Sequence, residues 1–230
     1  MANPRAILPA LLLIALSVAA ASFGVASIYR AEAVTVIEKW DWPEDEPVPP
    51  AWAWEQVHRY LWLANRLAPL DAQILTELGE LYELRVADTP ADAPADIPDA
   101  ARDSAADLEH ALGYYRQALA LRPAWPYGWA DVARLKLSQG NIDAEFAVAM
   151  QRALELGPWQ SALQASIASA GLTAWDQLPA ELQSDIEHAV QRGLSSGSRL
   201  MPAVARRFDL FETGNATPAQ AAPGNPAPEG

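Results

Sequence analysis

Three histidines, twenty-nine acidic residues and no cysteine bound the chemistry open to this 230-residue chain. His58, His110 and His188 stand apart: none lies in an H-E-x-x-H frame and no two are four residues apart, so no helix face offers a metal a pair of imidazoles. Glu109 and His110 are sequence neighbours, as are Glu187 and His188, which turns each carboxylate and imidazole to different sides of a helix. A metal or acid–base centre would need distant residues to converge, and no nucleophile–base–orienter set is visible. The expectation is therefore no enzyme, no metal and no cofactor. The lack of cysteine also excludes disulfides, thiol catalysis, cysteine-ligated metals and lipoprotein attachment.

Three patterns suit binding instead. Glu77, Glu80 and Glu83 recur every three residues as an acidic stripe, which is either a partner surface or an ordinary solvated helix face. Five tryptophans fall from Trp40 to Trp62. They could stack on a glycan or a partner, or, for Trp40 and Trp42, sit in a membrane-interface belt. Helical spacing around Trp54 favours core packing for Trp54 and Trp62. Residues 87–106 are rich in Asp, Pro and Ala but lack the glycine turn and closing glutamate of an EF-hand loop, so they read as a flexible insert. The net charge of −13 disfavours nucleic acid and direct contact of the domain with an anionic membrane surface, and favours a basic partner.

The elements that hold these residues begin with an uncharged run at 6–29, long enough to cross a bilayer as a helix with some tilt. The same run admits a cleaved signal peptide, with Arg5 as its positive region, 7–16 as its apolar region and Ala19-Ala20-Ala21 as its cleavage site. Its continuation through Phe23, Val25 and Ile28 favours a retained anchor, with residues 1–5 a cytoplasmic tail and the bulk exported. Residues 30–50 read as a juxtamembrane linker, with 34–37 a short extended piece. Helical periodicity then predicts a domain over 51–212, with helices at 51–69, 71–84, 104–121, 127–139, 142–156, 160–170, 179–194 and 202–211. The Pro-, Ala- and Gly-rich tail at 213–230 is expected to be disordered.

Within 67–159 the apolar and small residues follow a 34-residue grid. Leu75, Leu78, Gly79 and Tyr82 fit W-x-x-L-G-x-x-Y; Ala111, Tyr115, Ala118 and Pro123 fit A-x-x-x-F-x-x-A with a closing proline. Trp129, Gly140, Ala153 and Pro158 carry the grid onward, with Lys136, Phe146 and Met150 departing from it. The segment resembles the tetratricopeptide-repeat family. That resemblance implies an all-α fold: a short, irregular stack of helical hairpins, closed by capping helices and preceded here by one transmembrane helix. Helix pairs of this kind must stack to bury their apolar faces, with small residues at Gly79, Ala111, Ala118, Ala133 and Ala153 and prolines at Pro69, Pro123 and Pro158 ending the second helices.

In that family the inner helix of each repeat lines a concave groove. Carried over by position, this places Gln73, Thr76, Glu80, Glu83, Tyr127, Ala130, Arg134 and Leu137 in a groove suited to basic peptide segments. The overall organisation is similar to that of the small membrane-anchored P-type proteins of Vibrio-polysaccharide-class exopolysaccharide clusters. This implies a scaffold at the bacterial inner membrane, mostly periplasmic, that binds protein partners in polysaccharide assembly or export, with weak glycan contact through the Trp-rich segment. An assembly chaperone of the cytochrome c maturation or secretion type is the alternative, and a glycan-acting enzyme the third reading.

Overall fold

The computed structural model describes residues 4–38, 51–86 and 98–208, and these form nine α-helices, one 3-10 turn and no strand. The all-α expectation holds. In chain order the helices are α1 Pro4–Glu38, α2 Ala51–Leu67, α3 Ala72–Val86, α4 Pro98–Leu121, α5 Pro126–Ser138, α6 Ala144–Leu156, α7 Ser161–Thr173, α8 Ala180–Ser195 and α9 Met201–Arg207, with the 3-10 turn at Trp175–Gln177. The chain divides into two compact units, one ending at Arg122 and the other beginning at Pro123. Trp40, Trp42 and the tail at 213–230 lie outside the described residues.

In the first unit α1 packs on α2, α2 on α3, and α3 on α4. Neighbours run antiparallel. The rings of Tyr29 and Tyr60 are 6.2 Å apart, Trp54 donates its indole N–H to the Leu81 carbonyl at 3.0 Å, and Arg85 meets Asp107 at 2.9 Å. The expected linker at 30–50 is corrected at its start: α1 stays helical to Glu38, through the supposed extended piece at 34–37. The β-branched run Val34-Thr35-Val36-Ile37 suggests strand by propensity, but propensity is a weak prior. Ala26, Tyr29, Ala33, Val36 and Ile37 share one face and pack with Val57, Leu61 and Ala64 of α2. Thus α1 supplies the partner that completes a hairpin with α2. Its amino-terminal half is different. Leu11, Leu12, Leu13, Ile14, Leu16 and Val18 are each more than half exposed, and the helix is long and apolar enough to cross a membrane.

The supposed insert at 87–106 is also shortened from its far end. Pro98 opens α4, so 98–106 are helical, and only 87–97 fall outside the described residues. Proline suits a first helical turn, where its missing N–H costs nothing. Gly79 lies where α3 meets α4: a Cβ there would come within 2.9 Å of the Tyr115 ring, which is completely buried.

In the second unit α5 packs on α6, α7 on α8, and α9 against both α7 and α8. Two helices end alike. Gly140 (φ 71°) follows α5, where Gly140 N–H donates to Leu137 O and Asn141 N–H to Lys136 O. Gly197 (φ 73°) follows α8, with Gly197 and Ser198 donating to Leu194 O and Gly193 O. Both are Schellman endings, which favour glycine because φ is positive. Asp143 then caps α6 by accepting the Phe146 N–H at 3.0 Å. Lys136, where the repeat grid expects an aromatic residue, is buried, and its ammonium meets Asp143 at 2.7 Å and Glu145 at 2.8 Å. Phe146 and Met150, the other departures from the grid, are fully buried core.

Two expectations follow for stability, both read by chemical denaturation. Gly79→Ala should cost about 1–3 kcal/mol by overpacking against Tyr115. Gly113→Ala, where a Cβ meets nothing within 4 Å, should stabilise the helix by roughly 0.5–1 kcal/mol.

Around Lys136 the loss should be asymmetric. Asp143→Ala removes a cap and a charge partner of a buried ammonium and should cost about 2 kcal/mol. Lys136→Met leaves carboxylates that water can reach and should cost less than about 1.5 kcal/mol. The hydrogen bond from Lys136, then the Phe146 amide, holds the Asp143 carboxyl below its usual range. Its contribution is therefore present above the unfolded carboxylate pKa of about 4 and lost as pH falls through the lower folded value. Asp143→Asn should flatten that acid limb.

Candidate functional site

The acidic stripe sits on α3. Asp71 starts this helix by accepting the Gln73 N–H at 2.9 Å, and Ala72, Ile74, Leu75, Leu78 and Leu81 turn inward. Glu77, on the flank of this face next to Leu81, meets α1. Arg30 donates Nε to both carboxylate oxygens of Glu77 at 2.8 Å, its Nη2 reaches the same carboxylate, and Gln73 adds an amide at 3.3 Å. Glu77 is thereby neutralised from within the molecule.

One turn further on, a cavity of about 250 Å³ opens between α1, α2 and α3. Its apolar wall comes from Ala33, Val34, Ile37, Leu61, Leu81 and Leu84, and Glu77 and Glu80 stand at its edge. Drug-sized ligands occupy roughly 300–1,000 Å³, so this space suits one or two apolar side chains of a peptide segment. Glu80 is exposed and places a carboxylate where such a segment would carry a cation.

The other residues expected in a groove are distributed as follows. Gln73 and Thr76 are half-buried; Thr76 returns its hydroxyl to the Ala72 carbonyl at 3.0 Å. Glu83 is half-buried on the same helix. Tyr127 and Arg134 lie on α5 in the second unit. Tyr127 is exposed with its ring 5.4 Å from that of Trp125, and Arg134 meets Asp131 at 3.3 Å. Leu137 is half-buried and Ala130 buried. The set thus divides between α3 of one unit and α5 of the other.

The structure also assembles a cluster that sequence spacing did not disclose. His58 of α2, Tyr82 of α3, and His110 and Tyr114 of α4 meet around one ring. Tyr82 Oη lies 3.2 Å from His58 Nε2, and the Tyr82 ring is 5.1 Å from that of His110 and 5.8 Å from that of Tyr114. Trp54 stacks on His58 at 4.9 Å, and Arg85 caps the Trp54 ring at 4.5 Å. The i, i+4 spacing of Trp54 and His58 was readable; their meeting with α3 and α4 was not.

Burial is the largest cause lowering the His58 pKa, aided by Arg85 and His110. Burial also raises the hydroxyls of Tyr82 and Tyr114. All three are neutral near pH 7, which makes the cluster a hydrogen-bonded aromatic layer joining three helices. Among the described residues no three His, Asp or Glu side chains converge to hold a metal. Trp54 is core as expected. Trp62 is not: it is 41% exposed.

The second unit has a polar pocket of about 220 Å³ lined by Trp159, Ser161, Gln164, Arg192, Ser196 and Ser198, among others. Arg192 reaches the Gln164 carbonyl at 3.3 Å, and Gln164 in turn donates to the Gly157 carbonyl at 2.8 Å. The sequence matches no protein-family model and no curated protein.

The depressed His58 pKa has a testable sign. A folded pKa below the unfolded value of about 6.5 means stability is lost as pH falls from above that value toward the folded one. The thermal midpoint should drop between pH 7.5 and 5.5 more steeply in the parent than in His58→Phe, as followed by circular dichroism.

Proposed function

We propose that this chain is a non-enzymatic, membrane-anchored scaffold that holds a basic, apolar segment of a protein partner in the cavity between α1 and α3. The observation that carries the reading is the pairing of an apolar wall with the exposed Glu80 carboxylate beside it, next to a helix continuous with an apolar segment able to cross a membrane. Apolar floors provide affinity, and charges at the rim select the partner and speed its approach. The repeat-like grid supports the same role, since tetratricopeptide stacks present their inner helices to extended segments. The expected setting is the bacterial inner membrane with the bulk of the chain in the periplasm, among components that assemble or export a surface polysaccharide. That setting rests on the organisational resemblance and on the positive charge preceding the apolar run.

Co-purification from solubilised membranes tests this. Glu80→Lys with Glu83→Lys should abolish partner recovery while leaving the unfolding midpoint nearly unchanged. Glu80 is exposed and Glu83 half-buried; substitutions outside the core usually change stability by no more than about 0.5 kcal/mol, whereas reversed charge across an interface costs several. Val34→Trp, which fills the cavity, should weaken recovery too. Full recovery with the double variant would reject the cavity as the partner site. The identity of the captured proteins separates the settings: polymerase and export components for the polysaccharide reading, an apoprotein or secretion client for the chaperone one.

A further inference from the structure

The carboxyl-terminal end of α2 and its corner into α3 carry apolar groups that the hairpins leave uncovered. Leu70 is 80% exposed and Trp62 41%, with the Arg66 guanidinium 5.0 Å from the Trp62 ring centre. Leu121, exposed at the end of α4, lies at the same end, where Arg122 approaches Asp71 at 4.0 Å. The charge here runs against that of the chain as a whole. Between residues 56 and 76 the one acid is Asp71, against Arg59 and Arg66, in a protein of net charge −13. That acid is already engaged by the Gln73 amide and Arg122.

The antiparallel hairpin fixes where this corner falls along α1. Tyr29 faces Tyr60. Counting one residue of α2 for each residue of α1, Arg66 comes level with roughly residue 23 of α1 and Leu67, where α2 ends, with roughly residue 22, at ~1.5 Å per residue. Side chains 9–21 are exposed, and Ser22 is the first that is not. A hydrocarbon core of about 30 Å takes about 20 residues of helix. Counted from Ala6, those residues end near Val25, so the end of α2, and the corner beyond it, fall about three residues, or ~4–5 Å, below the level at which α1 leaves the core.

We propose that the α2–α3 corner is seated at the boundary between hydrocarbon and headgroups, with Leu70 in the upper hydrocarbon, Trp62 in the headgroup layer, and Arg59, Arg66 and Arg122 reaching the lipid phosphates. This inference rests on reading α1 as a membrane span. Indole rings and arginine stems suit that layer, because an apolar body can lie in lipid while the polar end reaches phosphate and water. The occupant of this face is lipid and not a second protein because the surface is continuous with the lipid-competent face of α1 and carries the charge sign that headgroup phosphates attract. The first unit would then stand directly on the membrane.

The chain has no cysteine, so single labels report cleanly. An environment-sensitive fluorophore on Leu70→Cys, Ser17→Cys or Glu55→Cys, each in the full chain, is read in phosphatidylcholine–phosphatidylglycerol vesicles. Some of the lipid carries a quencher either near the headgroup or at mid-chain. The expected result is mid-chain quenching at Ser17, shallow quenching at Leu70 several-fold stronger than at Glu55, and a water-like signal at Glu55. Leu121→Cys, at the same end on α4, repeats the Leu70 measurement should that variant fold poorly. A quenched Ser17 with Leu70 and Leu121 as water-exposed as Glu55 would overturn the seating and leave the span intact. A water-exposed Ser17 would overturn the span itself, and with it this inference.

Discussion

The structure depends on α1 running without a break from an exposed apolar half into a half that packs on α2. From Ala26 onward the face carrying Tyr29, Ala33, Val36 and Ile37 packs on α2; before it, apolar side chains point outward on all sides. No glycine or proline interrupts the helix between Gly24 and Glu38. Burial of that face contributes several kcal/mol at ~0.8 kcal/mol per methylene. The Arg30–Glu77 pair, with the arginine side chain 40% exposed, contributes about 1 kcal/mol at most. Apolar packing therefore holds α1 to the first unit, and the ion pair sets its rotation, bringing Val34 and Ile37 to the wall of the cavity.

The polar groups inside the second unit follow a different logic. Lys136 is buried between two helices, yet its carboxylate partners lie in the turn and first residues of α6. An apolar residue there would pack as well and avoid the desolvation of an ammonium. The lysine instead ties the last turn of α5 to the cap of α6, which fixes the register of a turn otherwise set by Gly140 alone. Burial opposes its charge and the two carboxylates outweigh that opposition, so its pKa is raised. This link lasts up to the alkaline range and is lost only as pH rises through the raised folded value.

The parts of this fold legible in the sequence are those where residue size reports packing. Gly79, Ala111, Ala118, Ala133 and Ala153 were expected at close helix approaches, and all are buried. Pro69, Pro123 and Pro158 fall just beyond α2, α4 and α6. Legibility failed where local preference and tertiary packing disagreed. The β-branched residues at 34–37 suggested a strand, but α2 offered them a helical partner. Proline and aspartate around Pro98 suggested a loop, yet Pro98 stands at a helix start. Of the site, Glu80 was legible from the stripe. The engagement of Glu77 by Arg30 was not, since the two are 47 residues apart and α1 had been assigned to a linker beyond residue 29. Spacing could not bring His58, Tyr82 and His110 together either, because convergence of three helices leaves no periodic trace.

The continuity of α1 has a consequence for the kind of partner the cavity could hold. Val34 and Ile37 lie nine and twelve residues beyond Val25, which at ~1.5 Å per residue places the cavity roughly 14–18 Å above the point where a span begun at Ala6 leaves the core. A segment reaching it from the same membrane needs only about five extended residues at ~3.3 Å each, so the stretch just outside another protein's span is within reach. On the exported side of a membrane such stretches are ordinarily poor in arginine and lysine, so one that does carry them beside apolar residues would be a selective match for a carboxylate above an apolar wall. A partner arriving from solution would gain nothing from this height, whereas one held in the same bilayer meets the cavity at a raised effective concentration. If α1 spans a membrane, the same helix would also fix the distance from it at which a partner in the cavity is met.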